Sequence, residues 1–299
     1  MNSTLHPQAL ENLGIFPTTD NSQRESSGLL NPSGSNESIP TGLPSLDSIL
    51  GGGVLPGKLN VLCAYTGVGK SSFAVHLACT AVEFGFGVIL LHTEMTASGD
   101  YGPRILAWKT GHAYSQIRKC SVEVDPHVAA QFLHNIHFVK PPETSRNWAR
   151  ELRKEIKGYT GLHPEGLLVI VDSMDRLEDV TAFSSERVAL ESVALTLSDI
   201  ARELEVPIWA TTQANDTALE ADTFGAESVR DARGKAIPAS LVLGMGRSAR
   251  SEKEKIATLT SIKTRDTPSF QIRVRTELGC QRFMDLSDAF IPPQGATPA

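Results

Sequence analysis

Short apolar runs bounded by turn residues alternate along the chain with longer stretches whose apolar positions recur every three or four residues. The short runs predict strands at Leu59–Tyr65, Gly87–Thr93, Ile136–Val139, Leu167–Asp172, Pro207–Thr212 and Ser240–Met245. The longer stretches predict helices at Ser71–Glu83, Val128–His134, Asn147–Lys157 and Glu186–Glu205. Strands separated by helices pair in parallel through right-handed crossovers, so the pattern reads as α/β, a mostly parallel central sheet flanked by helices. Two further alternating runs, Ile256–Thr264 and Phe270–Thr276, follow one another without a helix and predict an antiparallel extension at the sheet edge.

Ser, Asn, Thr, Pro and Gly dominate residues 1–38, which read as a flexible N-terminal arm with one short helical stretch at Gln8–Ile15. Residues 39–286 read as one domain and residues 287–299 as a C-terminal tail. With 40% apolar residues in 299, a sizeable core is available and wholesale disorder is excluded. No apolar run approaches the roughly 20 residues that span a bilayer, so no membrane partner is expected. The opening MNSTLHPQAL lacks a basic region followed by an apolar stretch, which argues against a secretory leader. Cys63, Cys79, Cys120 and Cys280 lie far apart and form no CxxC pair, as suits reduced thiols of a cytoplasmic protein. A net charge of −6 excludes a surface coated in positive charge for nucleic acid but leaves room for a local basic site.

The strongest chemical signal is the segment Ala64-Tyr-Thr-Gly-Val-Gly-Lys70-Ser71, set between an apolar strand and a helical run. A strand, a glycine-bearing loop and a helix start form a phosphate cradle, because backbone N–H groups and the positive helix end face the anion. Either the segment is an ordinary glycine-rich turn, or Thr66, Gly67, Val68, Gly69, Lys70, Ser71 and Ser72 form the cradle, with Lys70 on the terminal phosphates of ATP and the Ser71 hydroxyl on Mg²⁺. Asp172 closes the buried strand LLVIVD, where it either holds Mg²⁺ beside the cradle or caps the following turn. Glu94 follows another strand and either activates the attacking water or stands as a solvated strand-end carboxylate. Gln213 brings a neutral amide to the same edge, to read the γ-phosphate or to serve as a surface amide. Lys263 and Arg265 fall on one face of an edge strand, a placement that also suits a plain solvated face.

The order of PTGLPSLDSILGGGVLPGKLNVLCAYTGVGKSSFA, LLHTEM, LLVIVDS, VPIWATTQ and IKTRD resembles the RecA-like motor domain of DnaB-type hexameric helicases, superfamily 4, over roughly Ile39 to Leu286. The resemblance implies a RecA-like P-loop NTPase that hydrolyses ATP to ADP and phosphate with Mg²⁺ while moving on single-stranded DNA in replication. It implies that Lys70 and Ser71 hold triphosphate and Mg²⁺, Glu94 is the catalytic base, Asp172 the Mg²⁺-side carboxylate and Gln213 the γ-phosphate sensor. Lys263 and Arg265 match the family's cationic pair that enters the neighbouring subunit's ATP site, and Arg104 matches an arginine near the phosphate. Arg230, Arg233 and Lys235 occupy the place of the loop that grips a DNA strand.

A homo-oligomer follows, a hexameric ring or a filament, meeting other replication or recombination proteins. A second expectation is a RecA- or KaiC-like DNA-binding ATPase that anneals, mediates recombination or loads a helicase without unwinding. A small-molecule kinase would need a lid, and no segment suggests one. An inactive structural module would have no use for Lys70, Glu94 and Asp172 together.

Overall fold

The structure is a computed structural model that describes residues 38–141, 147–177, 186–214 and 238–291. Arg230, Arg233, Lys235 and nearly all of the expected N-terminal arm lie outside the described residues.

Among the described residues, nine strands form one sheet in the order β3-β2-β4-β5-β1-β6-β7-β8-β9. The parallel strands are β1 (Leu59–Ala64), β2 (Gly87–His92), β3 (Ile136–Val139), β4 (Leu167–Asp172), β5 (Ile208–Gln213) and β6 (Leu241–Gly246). Each lies within a residue or so of its expected position. The antiparallel extension is β7 (Ile256–Thr264), β8 (Gln271–Glu277) and β9 (Arg282–Ile291), which carries the sheet five residues past the expected domain end at Leu286.

Alternation along the strands divides the core into two layers. Leu62 and Ala64, Val88 and Leu90, and Leu168 and Ile170 point to one face, covered by α1 (Pro44–Leu50), α2 (Lys70–Glu83), α3 (Gly102–Thr110), α4 (Tyr114–Arg118) and α5 (Pro126–Leu133). Leu59 and Val61, Ile89 and Leu91, and Val169 and Val171 point to the other, beneath α6 (Trp148–Thr160) and α7 (Glu186–Leu204). A short helix, α8 (Ala249–Lys253), links β6 to β7. α6 is amphipathic, burying Trp148, Leu152 and Ile156, while its outer face carries Arg153, which pairs with Glu203 of α7 at 2.8 Å. By contrast α2 is buried from Ser72 to Ala81, since α3 and β9 close over the side turned from the sheet.

The turn before the sheet is tied to α1. Thr41 donates its backbone N–H and hydroxyl to Asp47, and Asp285 of β9 accepts from the backbone N–H and hydroxyl of Ser45, serving an open amide in the first turn of α1. Buried His76 of α2 accepts at Nδ1 from the Trp108 indole at 3.1 Å, and Phe283 packs edge-on to it. Burial holds His76 at a pKa of about 3. Below pH 6.5 the unfolded chain therefore takes up a proton that the folded chain refuses, and stability falls as pH falls. This residue is expected to cost about 2 kcal/mol of stability between pH 7 and pH 5. Urea midpoints of wild type and His76→Gln at the two pH values check it: the variant should lack that share of the pH dependence.

Candidate active site

Four strands deliver the site to one edge. β1 ends at Ala64, a glycine-bearing loop turns, and α2 begins at Lys70. Gly69, the N-cap, has φ 121°, and a Cβ there would stand 3.1 Å from Leu278 in the turn between β8 and β9. The backbone thus demands glycine, and a side chain there would also crowd Leu278. The Lys70 ammonium donates to the carbonyls of Ala64 at 2.9 Å and Tyr65 at 3.2 Å. Burial lowers its pKa, and the charges of Asp175, Asp172 and Glu94 oppose that shift.

Asp172 is buried and held at both oxygens: Thr211 of β5 donates to Oδ1, and the Tyr101 hydroxyl donates to Oδ2 at 2.7 Å. Tyr101 closes a π-helical turn, Ala97–Tyr101, and burial beside the Asp172 charge pushes its phenol well up, so it stays a donor. The strand ladder continues beyond β2 and β4. Thr93 N–H donates to the Asp172 carbonyl at 3.1 Å, and its hydroxyl accepts from Ser173 N–H at 3.0 Å. Glu94 is thereby set beside Asp172, and its carboxylate pairs with Arg176 Nε at 2.9 Å. One residue earlier, Asp175 accepts from the Thr212 hydroxyl at 2.6 Å and from Gln213 N–H at 3.0 Å. That anchors the backbone of Gln213 and leaves its residue exposed.

These residues fit Mg²⁺ and a nucleotide triphosphate. Among the described residues no cluster of three or more His, Cys, Asp or Glu could hold a metal by itself. Mg²⁺ is usually held by one or two carboxylates, a hydroxyl, water and the substrate's phosphates rather than by a protein cage. Asp172 and Ser71, at the mouth of the glycine-bearing loop, are donors of the kind that would hold it.

The fold does not bring Lys263 and Arg265 to this edge. Lys263 lies opposite Val242, Thr264 opposite Leu241, and Arg265 N–H donates to the Ser240 carbonyl, all at the opening end of β6. Ala64 lies opposite Met245 at the closing end, roughly 13 Å away along the sheet at ~3.3 Å per residue. Arg265 is exposed, with Nη2 3.4 Å from the Pro238 carbonyl, and its charge helps lower Lys263, after burial. Arg104 on α3 donates to Gln281 at 2.9 Å and lies over the Tyr114 ring at 4.7 Å. It is thus held against the same β8–β9 turn that packs on Gly69.

Sequence reasoning missed Tyr101, Thr211, Asp175, Arg176 and Arg247. Arg247, the first residue past β6, is almost fully buried under the cradle, with Nη1 3.4 Å from the Val68 carbonyl. Three of the five follow the closing ends of parallel strands, so a search of every such end for charged residues would have found them.

Comparison with known proteins agrees with this fold. Residues 38–285 match the family model for the DnaB-like helicase C terminal domain. The replicative DNA helicase DnaB of Leifsonia xyli subsp. xyli (strain CTCB07) is 24% identical over 267 residues, covering 85% of this chain; the match spans 57% of that relative's length. A solved ATPase domain superposes with a TM-score of 0.70 at 17% identity, over 85% of this chain and 93% of its own. A solved DnaB-like replicative helicase, described with its interactions with primase, superposes at 0.73 with 18% identity, over 85% of this chain and 63% of its own. The chain belongs to the family of DnaB-like helicase C-terminal domains.

Proposed function

We propose that this chain is the ATP-hydrolysing motor of a single-stranded DNA translocase or helicase, active as a hexamer with nucleotide between subunits. One observation carries the reading: the phosphate cradle and the Lys263–Arg265 pair stand at opposite edges of one sheet. Neither completes a hydrolytic site within a single chain, whereas neighbours in a ring complete each other's.

The loop from Thr66 to Gly69 and the start of α2 hold the phosphates. Lys70 exchanges its two carbonyl contacts for the β- and γ-phosphates, and Ser71 and Asp172 would hold Mg²⁺. When bound, Mg²⁺ would neutralise charge developing on the phosphate oxygens. Glu94 orients a water and accepts its proton as the oxygen bonds to the γ-phosphorus and the β–γ bridge breaks, leaving ADP and phosphate. Gln213 hydrogen-bonds the γ-phosphate, and Arg230, Arg233 and Lys235, which follow it in the sequence, grip the strand. Arg265, with Lys263 beside it, enters the neighbour's site. The same arrangement suits partners in DNA replication.

ATPase rates with and without single-stranded DNA, beside a native mass, test this. Stimulation by the strand with a six-fold mass is expected; an unstimulated monomer or an open filament contradicts the ring. If six subunits each grip one phosphate, strand affinity should fall with log salt at a slope of roughly −4. A slope near zero would mean that the backbone is not gripped.

A further inference from the structure

The carboxylate assigned to water activation is not free. Glu94 Oε1 is 2.9 Å from Arg176 Nε, in an ion pair whose side chains are 51% and 67% exposed. A carboxylate paired with a guanidinium has one oxygen engaged and is held in place, so it is less able to turn toward a water. Arg176 closes the short turn Met174–Arg176 that follows β4. Its neighbour Asp175 accepts from Gln213 N–H, so a single turn touches both the base and the sensor. Across the edge, Lys140 follows β3, level with His92, and is also exposed. Arg176 is thus the cation shown in contact with Glu94 at this exposed edge of the sheet.

The geometry points to Arg176 as a restraint on Glu94 that a single-stranded nucleic-acid backbone releases, its phosphate taking the guanidinium and freeing the carboxylate for water. This rests on the hydrolytic reading above. A polyanion suits the release better than the nucleotide does. Arg176 is two-thirds exposed, as a residue waiting for a ligand from solution would be, whereas Lys70 is drawn into the cradle. An exposed ion pair is also weak enough to be exchanged: it restrains by a factor of about 2 to 5. Arg176 is thus a positioning residue, acting through Glu94 rather than on the reacting atoms.

Steady-state ATPase of the full chain, with and without oligo-dT, tests the restraint in wild type, Arg176→Ala, Arg176→Lys and Glu94→Gln. Arg176→Ala should raise the strand-free kcat about 2- to 5-fold at unchanged KM for ATP and cut the stimulation by oligo-dT by the same factor. Arg176→Lys should recover part of the restraint. In wild type, added salt should raise the strand-free rate as the pair is screened, and this rise should vanish in Arg176→Ala. Oligo-dT binding by Arg176→Ala should also depend less steeply on salt, by about 0.7 for each strand phosphate lost. An unchanged or lowered strand-free rate in Arg176→Ala, in a protein whose hydrolysis Glu94→Gln abolishes, overturns the restraint and leaves the hydrolytic reading standing. Wild type without any hydrolysis sensitive to Glu94→Gln overturns both.

Discussion

Arg265→Ala should bind ATP about as tightly as wild type and lose turnover by about 10³-fold or more. An arginine supplied to a phosphoryl-transfer site from a neighbour is typically worth about 10³–10⁵ in rate, because it meets charge that grows only in the transition state. Arg265 is far from its own cradle and holds no part of the core. Its loss therefore removes rate and spares both the fold and the pocket that binds ground-state nucleotide. Equilibrium binding of a fluorescent ATP analogue beside steady-state hydrolysis separates the two effects. A fall in affinity that matches the fall in rate would show that Arg265 acts on binding, and an unchanged rate would remove it from the site.

Glu94→Gln should lose turnover by about 10²–10⁴-fold, the usual worth of a positioned general base, and keep its affinity for ATP. The substitution preserves shape, and Glu94 forms no core contact, since its side chain is half exposed. Thr93, which sets the position of residue 94 through its bonds to Asp172 and Ser173, is untouched. The variant should therefore accumulate as a nucleotide-bound species. Single-turnover hydrolysis checks this: wild-type rates in Glu94→Gln would assign the base elsewhere.

Much of this site was legible because parallel strands end on one edge. Once Leu59, Gly87, Leu167 and Pro207 were read as strand starts, Ala64, Glu94, Asp172 and Gln213 had to lie on one edge, whatever the order of the strands. The π-helical turn and α3 were not legible, since ASGDYGPRILAWKT opens with Ser, Gly, Asp and Pro, which read as loop. Pro103 instead occupies the first turn of α3, where it has no amide to lose. β9 was hidden by Asp285, a charge that breaks the alternation and that the fold uses at the start of α1. Tyr101, Thr211 and Arg176 acquire their roles only from partners 71, 39 and 82 residues away, and no local pattern encodes such contacts.

Two of the inactive proteins, each defective in a different half of the site, provide the most direct test of shared nucleotide sites. Arg265→Ala retains a working cradle and Glu94; Glu94→Gln retains the cations. Mixed under assembling conditions, they should form some junctions with both halves intact, and hydrolysis should reappear well above the sum of the two alone. Mixtures that stay as inactive as their components, although mass measurement shows that they co-assemble, would contradict a site built from two chains.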